Sequence, residues 1–153
     1  MLKYHNAKIG LQEVPDEVSL VIEISNCPFH CPYCNTKILR QDVGDFLTKE
    51  MLDILMDSFA GEYTCVCFMG GDSAPDVVDE LSEYIKHSRP DIKTAWYSGA
   101  DSLTIFTNWN NYDYIKVGSY KRKLGALNSP STNQRFYKVV DSRMVDITSR
   151  FWD

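Results

Sequence analysis

Val18-Ser19-Leu20-Val21-Ile22-Glu23-Ile24 leads, across two residues, into Cys27-Pro28-Phe29-His30-Cys31-Pro32-Tyr33-Cys34, and this junction decides the reading of the fold. The first stretch is rich in β-branched residues with partial period-two alternation, which predicts a strand. The second holds two prolines, which fix φ and push the preceding residue toward extended geometry, so it reads as a loop. Beyond it, Thr48 has the chemistry of a helix N-cap, with Glu50 in the first turn. Leu52, Leu55, Met56 and Phe59 follow at helical spacing, and Gly61 ends the run.

The same alternation continues along the chain. A second strand is predicted over Thr64-Cys65-Val66-Cys67-Phe68-Met69, stopping at Gly70-Gly71-Asp72. A helix opens at Pro75 with Val77, Val78, Leu81 and Ile85 on one face. Lys93-Thr94-Ala95-Trp96-Tyr97 gives a third strand ending at Ser98-Gly99, and Tyr114-Ile115-Lys116-Val117 a fourth ending at Gly118-Ser119. Residues 135–140 and 144–147 are weaker strand candidates. Strand, helix, strand, helix, strand implies parallel pairing. In parallel architectures the site lies at the carboxyl ends of the strands. The cysteines, Gly-Gly-Asp, Tyr-Ser-Gly and Gly-Ser are therefore expected along one sheet edge.

Composition narrows the function classes. The chain has 153 residues, which predicts a single domain spanning 1–153. With 16 Lys and Arg against 21 Asp and Glu, the net charge is -5, the wrong sign for a general nucleic-acid binder. No apolar run approaches the roughly 18–20 residues that span a bilayer, and the first residues carry no secretory signal, so a cytoplasmic location is expected. Five cysteines without a signal argue for thiols or metal ligands, not disulfides.

Cys27, Cys31 and Cys34 form C-x3-C-x2-C. Three thiolates this close suit three corners of a cubane iron–sulfur cluster, leaving one iron open, as a catalytic metal requires. The alternative is a structural zinc site, with Cys65, Cys67 or His30 as fourth ligand, although a second C-x2-C knuckle is missing. Cys65 and Cys67, two apart on a strand, share a face and read as small core hydrophobes. Lys121-Arg122-Lys123 reads as a solvated turn.

C-x3-C-x2-C after the first strand, with an aromatic before the last cysteine, resembles the radical S-adenosylmethionine (radical SAM) superfamily. Gly70-Gly71-Asp72 resembles its Gly-Gly-Glu element, shortened from Glu to Asp. Tyr114-Ile115-Lys116-Val117-Gly118 with Ser131-Thr132-Asn133-Gln134-Arg135 is similar to the Val-Asp-Gly and Ser-Ser-Asn-Gln-Arg elements of anaerobic ribonucleoside-triphosphate reductase activating proteins. Trp96-Tyr97-Ser98-Gly99 is similar to their Trp/Tyr-Thr/Ser-Gly strand end. The chain departs from that pattern at Asn35, where Tyr or His is frequent, and at Lys116-Val117, where Val-Asp is usual.

The resemblance implies an α/β fold, a partial (β/α) barrel of radical SAM type open on one side, because a full barrel takes about 250 residues. It implies one [4Fe-4S] cluster on Cys27, Cys31 and Cys34. S-adenosylmethionine would be bound by Tyr33, Cys34, Asn35, Gly70, Gly71, Asp72 and Ser98. The implied activity is reductive cleavage of S-adenosylmethionine to a 5′-deoxyadenosyl radical, which takes hydrogen from a glycine of the anaerobic reductase. The implied partners are that reductase and a low-potential electron donor such as flavodoxin. Activation of another glycyl-radical enzyme, such as pyruvate formate-lyase, is the alternative within the superfamily. A zinc-binding interaction module is the alternative outside it.

Overall fold

The computed structural model describes residues 2–25, 43–101 and 109–152. Within these, eight strands form one sheet: β1 (Lys3–Gly10), β2 (Ser19–Ile24), β3 (Asp45–Phe46), β4 (Cys65–Met69), β5 (Lys93–Tyr97), β6 (Tyr114–Val117), β7 (Arg135–Val140) and β8 (Arg143–Asp146). Their order is β3-β1-β2-β4-β5-β6-β7-β8. Two helices, α1 (Lys49–Ser58) and α2 (Pro75–Ser88), complete the regular elements apart from short 3-10 turns.

The central strands are parallel: β2 with β4, β4 with β5, and β5 with β6. The flanks are not. β1 runs antiparallel to β2 and to β3, and β7 runs antiparallel to β6 and β8. This overturns the expected α/β partial barrel of radical SAM type. A (β/α) barrel needs a run of parallel strands, each followed by a helix. Here antiparallel strands close off both sides of the parallel centre, and the described residues hold only two helices beside an eight-stranded, mostly β, mixed sheet.

The local chemistry of the helices matches their sequence. Thr48 caps α1, its hydroxyl accepting the Met51 N–H at 3.1 Å. Pro75 occupies the first turn of α2, where its missing N–H costs nothing. The helices cover one sheet face, where Leu52, Met56, Val78, Leu81 and Ile85 pack on Leu20, Ile22, Val66, Phe68, Trp96 and Ile115. Alternation sends Cys65, Cys67, Val21, Ala95 and Tyr114 to the opposite face. There they pack with Val14 from the loop after β1, and with Leu127 and Phe136. Asp53 and Asp57 of α1 grip Arg89 at the end of α2, at 2.9 and 3.2 Å.

Candidate functional site

The parallel register aligns Glu23, Met69 and Tyr97 across β2, β4 and β5, and continues to Lys116 on β6. The strands therefore end together, and their following residues share one edge. β2 gives way to Ser25, whose N–H binds the Lys3 carbonyl at 2.9 Å. Cys27, Cys31, Tyr33, Cys34 and Asn35 follow in sequence and lie outside the described residues. The other predicted site residues do meet at this edge.

Gly70 and Gly71 sit at φ 100° and 94°, left-handed backbone that favours glycine. A Cβ on Gly70 would stand 3.0 Å from the Ile24 carbonyl, and one on Gly71 would stand 2.6 Å from Val78 Cγ2. The glycines thus let β4 turn away while staying pressed against β2 and α2. The Gly70 carbonyl accepts from the Trp96 indole at 2.6 Å, and the Gly71 carbonyl from the Ala74 N–H at 3.0 Å. Each carbonyl keeps a second lone pair.

Asp72 is the chemical centre of the edge. Its carboxylate accepts the Ser98 hydroxyl on one oxygen and the Gly99 N–H at 3.1 Å on the other. Burial raises its pKa above the ordinary value, against the opposing pull of those hydrogen bonds and of the Lys116 ammonium. Ser98 is itself fixed, its oxygen accepting the Ala100 N–H at 3.0 Å. The Ser98 hydroxyl, expected to touch a cofactor, donates to Asp72 in this structure.

Asn133 and Gln134 brace the turn after β6. Asn133 Nδ2 donates to the Ser119 carbonyl at 3.0 Å, and Gln134 Nε2 to the Gly118 carbonyl at 3.4 Å. Arg135 pairs with Asp146 across the hairpin at 3.6 Å. Sequence reasoning did not single out Lys116, which is buried at this edge. Its signal was a charged residue inside a four-residue apolar strand, and the side chain is only 8% exposed. Lys121, Arg122 and Lys123 are exposed, as a solvated turn requires.

Cys65 and Cys67 are free thiols with no exposed surface. Desolvation pushes both thiols well above their ordinary pKa, which disfavours the thiolate that a metal needs. Among the described residues, no three His, Cys, Asp or Glu side chains gather into a group able to hold a metal ion. No described helix is long and apolar enough to cross a membrane.

A family model described as a 4Fe-4S single cluster domain matches residues 17–135, well over half of the chain. The protein belongs to this family of iron–sulfur proteins. The match runs from the residues entering β2, through the cysteine motif and Gly70-Gly71-Asp72, to the first residue of β7. No curated protein and no solved structure gives a significant match.

The donor set fits a single cluster. Iron–sulfur clusters take Cys thiolates, and burial withdraws Cys65 and Cys67 from the five cysteines, leaving three closely spaced ones. The edge also fits a ligand carrying an amino group, since the partly exposed Asp72 carboxylate can accept there.

Proposed function

We infer that this chain is a radical SAM activase that generates a glycyl radical on an anaerobic ribonucleoside-triphosphate reductase. One observation carries the reading. The C-x3-C-x2-C segment follows the end of β2, and the parallel neighbour β4 ends in Gly70-Gly71-Asp72, with the Asp72 carboxylate anchored by Ser98 and Gly99. The iron–sulfur family supports the cluster half of this pairing.

In this reading Cys27, Cys31 and Cys34 would hold the cluster beside the S-adenosylmethionine site. When bound, the cluster and S-adenosylmethionine supply a carbon radical able to take hydrogen from a backbone glycine. The chain's own residues bind and orient. Asp72 would accept a hydrogen bond from the methionine amino group, and the Gly70 and Gly71 carbonyls would offer their second lone pairs. Ser98 and Gly99 keep Asp72 from rotating. Tyr33 and Asn35 would complete the cofactor-binding set. A low-potential donor such as a flavodoxin delivers the electron.

The test is electron paramagnetic resonance on the candidate reductase after anaerobic incubation with this protein, S-adenosylmethionine and a reductant. A glycyl-radical doublet on the reductase is the expected result. A doublet on pyruvate formate-lyase alone would move the assignment to that partner. A colourless protein carrying zinc and no iron would sink the reading.

A further inference from the structure

A lysine buried inside a β-strand needs a reason, because removing an ammonium from water costs several kcal/mol unless it is well paired. Lys116 lies on the sheet face of Tyr97, Tyr114 and Phe136, and Met or Leu would fill that place without the penalty. Its ammonium donates to the Ser98 carbonyl at 3.1 Å and to the Gly118 carbonyl at 2.7 Å. Its own carbonyl accepts the Ser98 N–H at 2.9 Å. Ser98 is thus gripped by one residue at both its N–H and its C=O. The Ser98 hydroxyl and the next N–H, from Gly99, are the two donors on Asp72.

We propose that Lys116 is a positioning residue: by tying the ends of β5 and β6 together through Ser98 and Gly118, it aims the Asp72 carboxylate and supplies its counter-charge. This rests on the assignment of Asp72 to the amino group of the cofactor. The charged surroundings are simple. Among the described residues, Lys116 acts on Asp72, and Lys121 and Lys116 both act on Asp101 after β5. Asp101 is turned outward and accepts the Ser119 N–H at 2.8 Å and the Ser119 hydroxyl at 3.0 Å. The Tyr97 ring lies 6.0 Å from the ammonium, and burial keeps its hydroxyl neutral. Asp72 therefore answers to Lys116 for its charge and to Ser98 and Gly99 for its direction.

The experiment titrates the Asp72 carboxyl carbon by NMR in the full chain, assigned against Asp72→Asn, without added cofactor. Lys116→Gln keeps a donor near the two carbonyls but removes the charge, and should move the Asp72 midpoint up by about one pH unit, a tenfold change in proton affinity. Lys116→Arg should restore it. S-adenosylmethionine affinity of the iron-loaded Lys116→Gln protein should fall about tenfold at neutral pH, with its acid limb displaced upward by the same amount.

An Asp72 midpoint that does not move in folded Lys116→Gln overturns the proposal. Should that variant not fold, the wild-type chain decides. Its Lys116 ammonium protons should resist solvent exchange at neutral pH because two carbonyls hold them, and free exchange would overturn the proposal. Wild-type protein that binds no S-adenosylmethionine yet shows the Asp72 shift would sink the assigned function and leave the Lys116–Asp72 link standing.

Discussion

The two ends of the same parallel strands solve the placement of polar groups in opposite ways. Where β5 and β6 begin, Asp113 takes the Lys86 ammonium directly and accepts the Thr94 N–H at 2.9 Å. Both side chains of that ion pair are about a quarter exposed, 24% and 23%, so water shares the load. Where the strands finish, Lys116 is buried and Asp72 partly so, and the two charges are kept on separate partners. The Lys116 ammonium sits on backbone carbonyls, and the Asp72 carboxylate sits on a hydroxyl and an N–H. An ion pair that closes on itself seals a sheet end. A carboxylate held by neutral donors keeps its charge available to a ligand.

The sharpest way to test this division is through sulfur. Cys31→Ala should abolish iron loading, read by iron and sulfide content after anaerobic reconstitution. Cys65→Ala, at the other end of β4, should load iron normally and lose about 1 kcal/mol of stability from a small packing defect. Comparable iron loss in the two variants would erase the distinction between the ends.

Gly71→Val comes next. The added side chain would meet Val78 at 2.6 Å on left-handed backbone, so overpacking and strain together should cost roughly 3 kcal/mol. Urea unfolding of the metal-free chain is the measurement. Wild-type stability would mean that the glycine serves only the ligand.

Asp72→Ala should then weaken S-adenosylmethionine binding about ten- to a hundredfold, the scale of a hydrogen bond to a charged group, without loss of iron. Lys86→Met, at the opposite end, should leave that affinity unchanged and cost about 1 kcal/mol or less, as befits a partly exposed pair. Calorimetry on the two iron-loaded variants separates the ends directly.

The smallest effect concerns pH. The Asp72 pKa is raised in the fold, so its ionisation opposes folding. The stability contribution of its protonated form is present at low pH and is lost as pH rises from the unfolded value, about 3.9, through the folded one. Binding has the opposite sign. S-adenosylmethionine affinity should fall on acidification with a midpoint above about 3.9, and Asp72→Asn should flatten that limb.

The parallel centre was legible because β2, β4, β5 and β6 are dense in β-branched, aromatic and small apolar residues buried on both faces. The strands of the β7–β8 flank were legible too, but β1 and the antiparallel pairing of both flanks were not. β1 is Lys-Tyr-His-Asn-Ala-Lys-Ile-Gly, largely polar and half exposed, and it becomes a strand by antiparallel pairing with β2 through a register shift. The turn between β7 and β8 places Asp141 and Ser142 at positive φ, without the Asn-Gly or Asp-Gly signature that announces such hairpins. With β1 unread and the direction of β7 and β8 unannounced, the parallel strands invited a partial barrel, and the antiparallel neighbours made a mixed sheet instead.

That Gly70, Gly71, Asp72 and Ser98 lie at one edge was legible because strand ends in a parallel array must share an edge. The direction of the Ser98 hydroxyl was not, since it is set by a contact with Asp72 that lies 26 residues away in sequence.

The thiols of β4 carry a consequence for measurement. Cys65 and Cys67 have no exposed surface and lie on a strand paired on both sides. An alkylating reagent reaches them only when that strand parts from its neighbours, so their labelling rate is a clock for opening of the sheet centre. Mass spectrometry of the two labelled peptides would read that clock residue by residue, under anaerobic conditions and with no optical probe. Any ligand that stabilises the sheet should slow it in proportion to its occupancy.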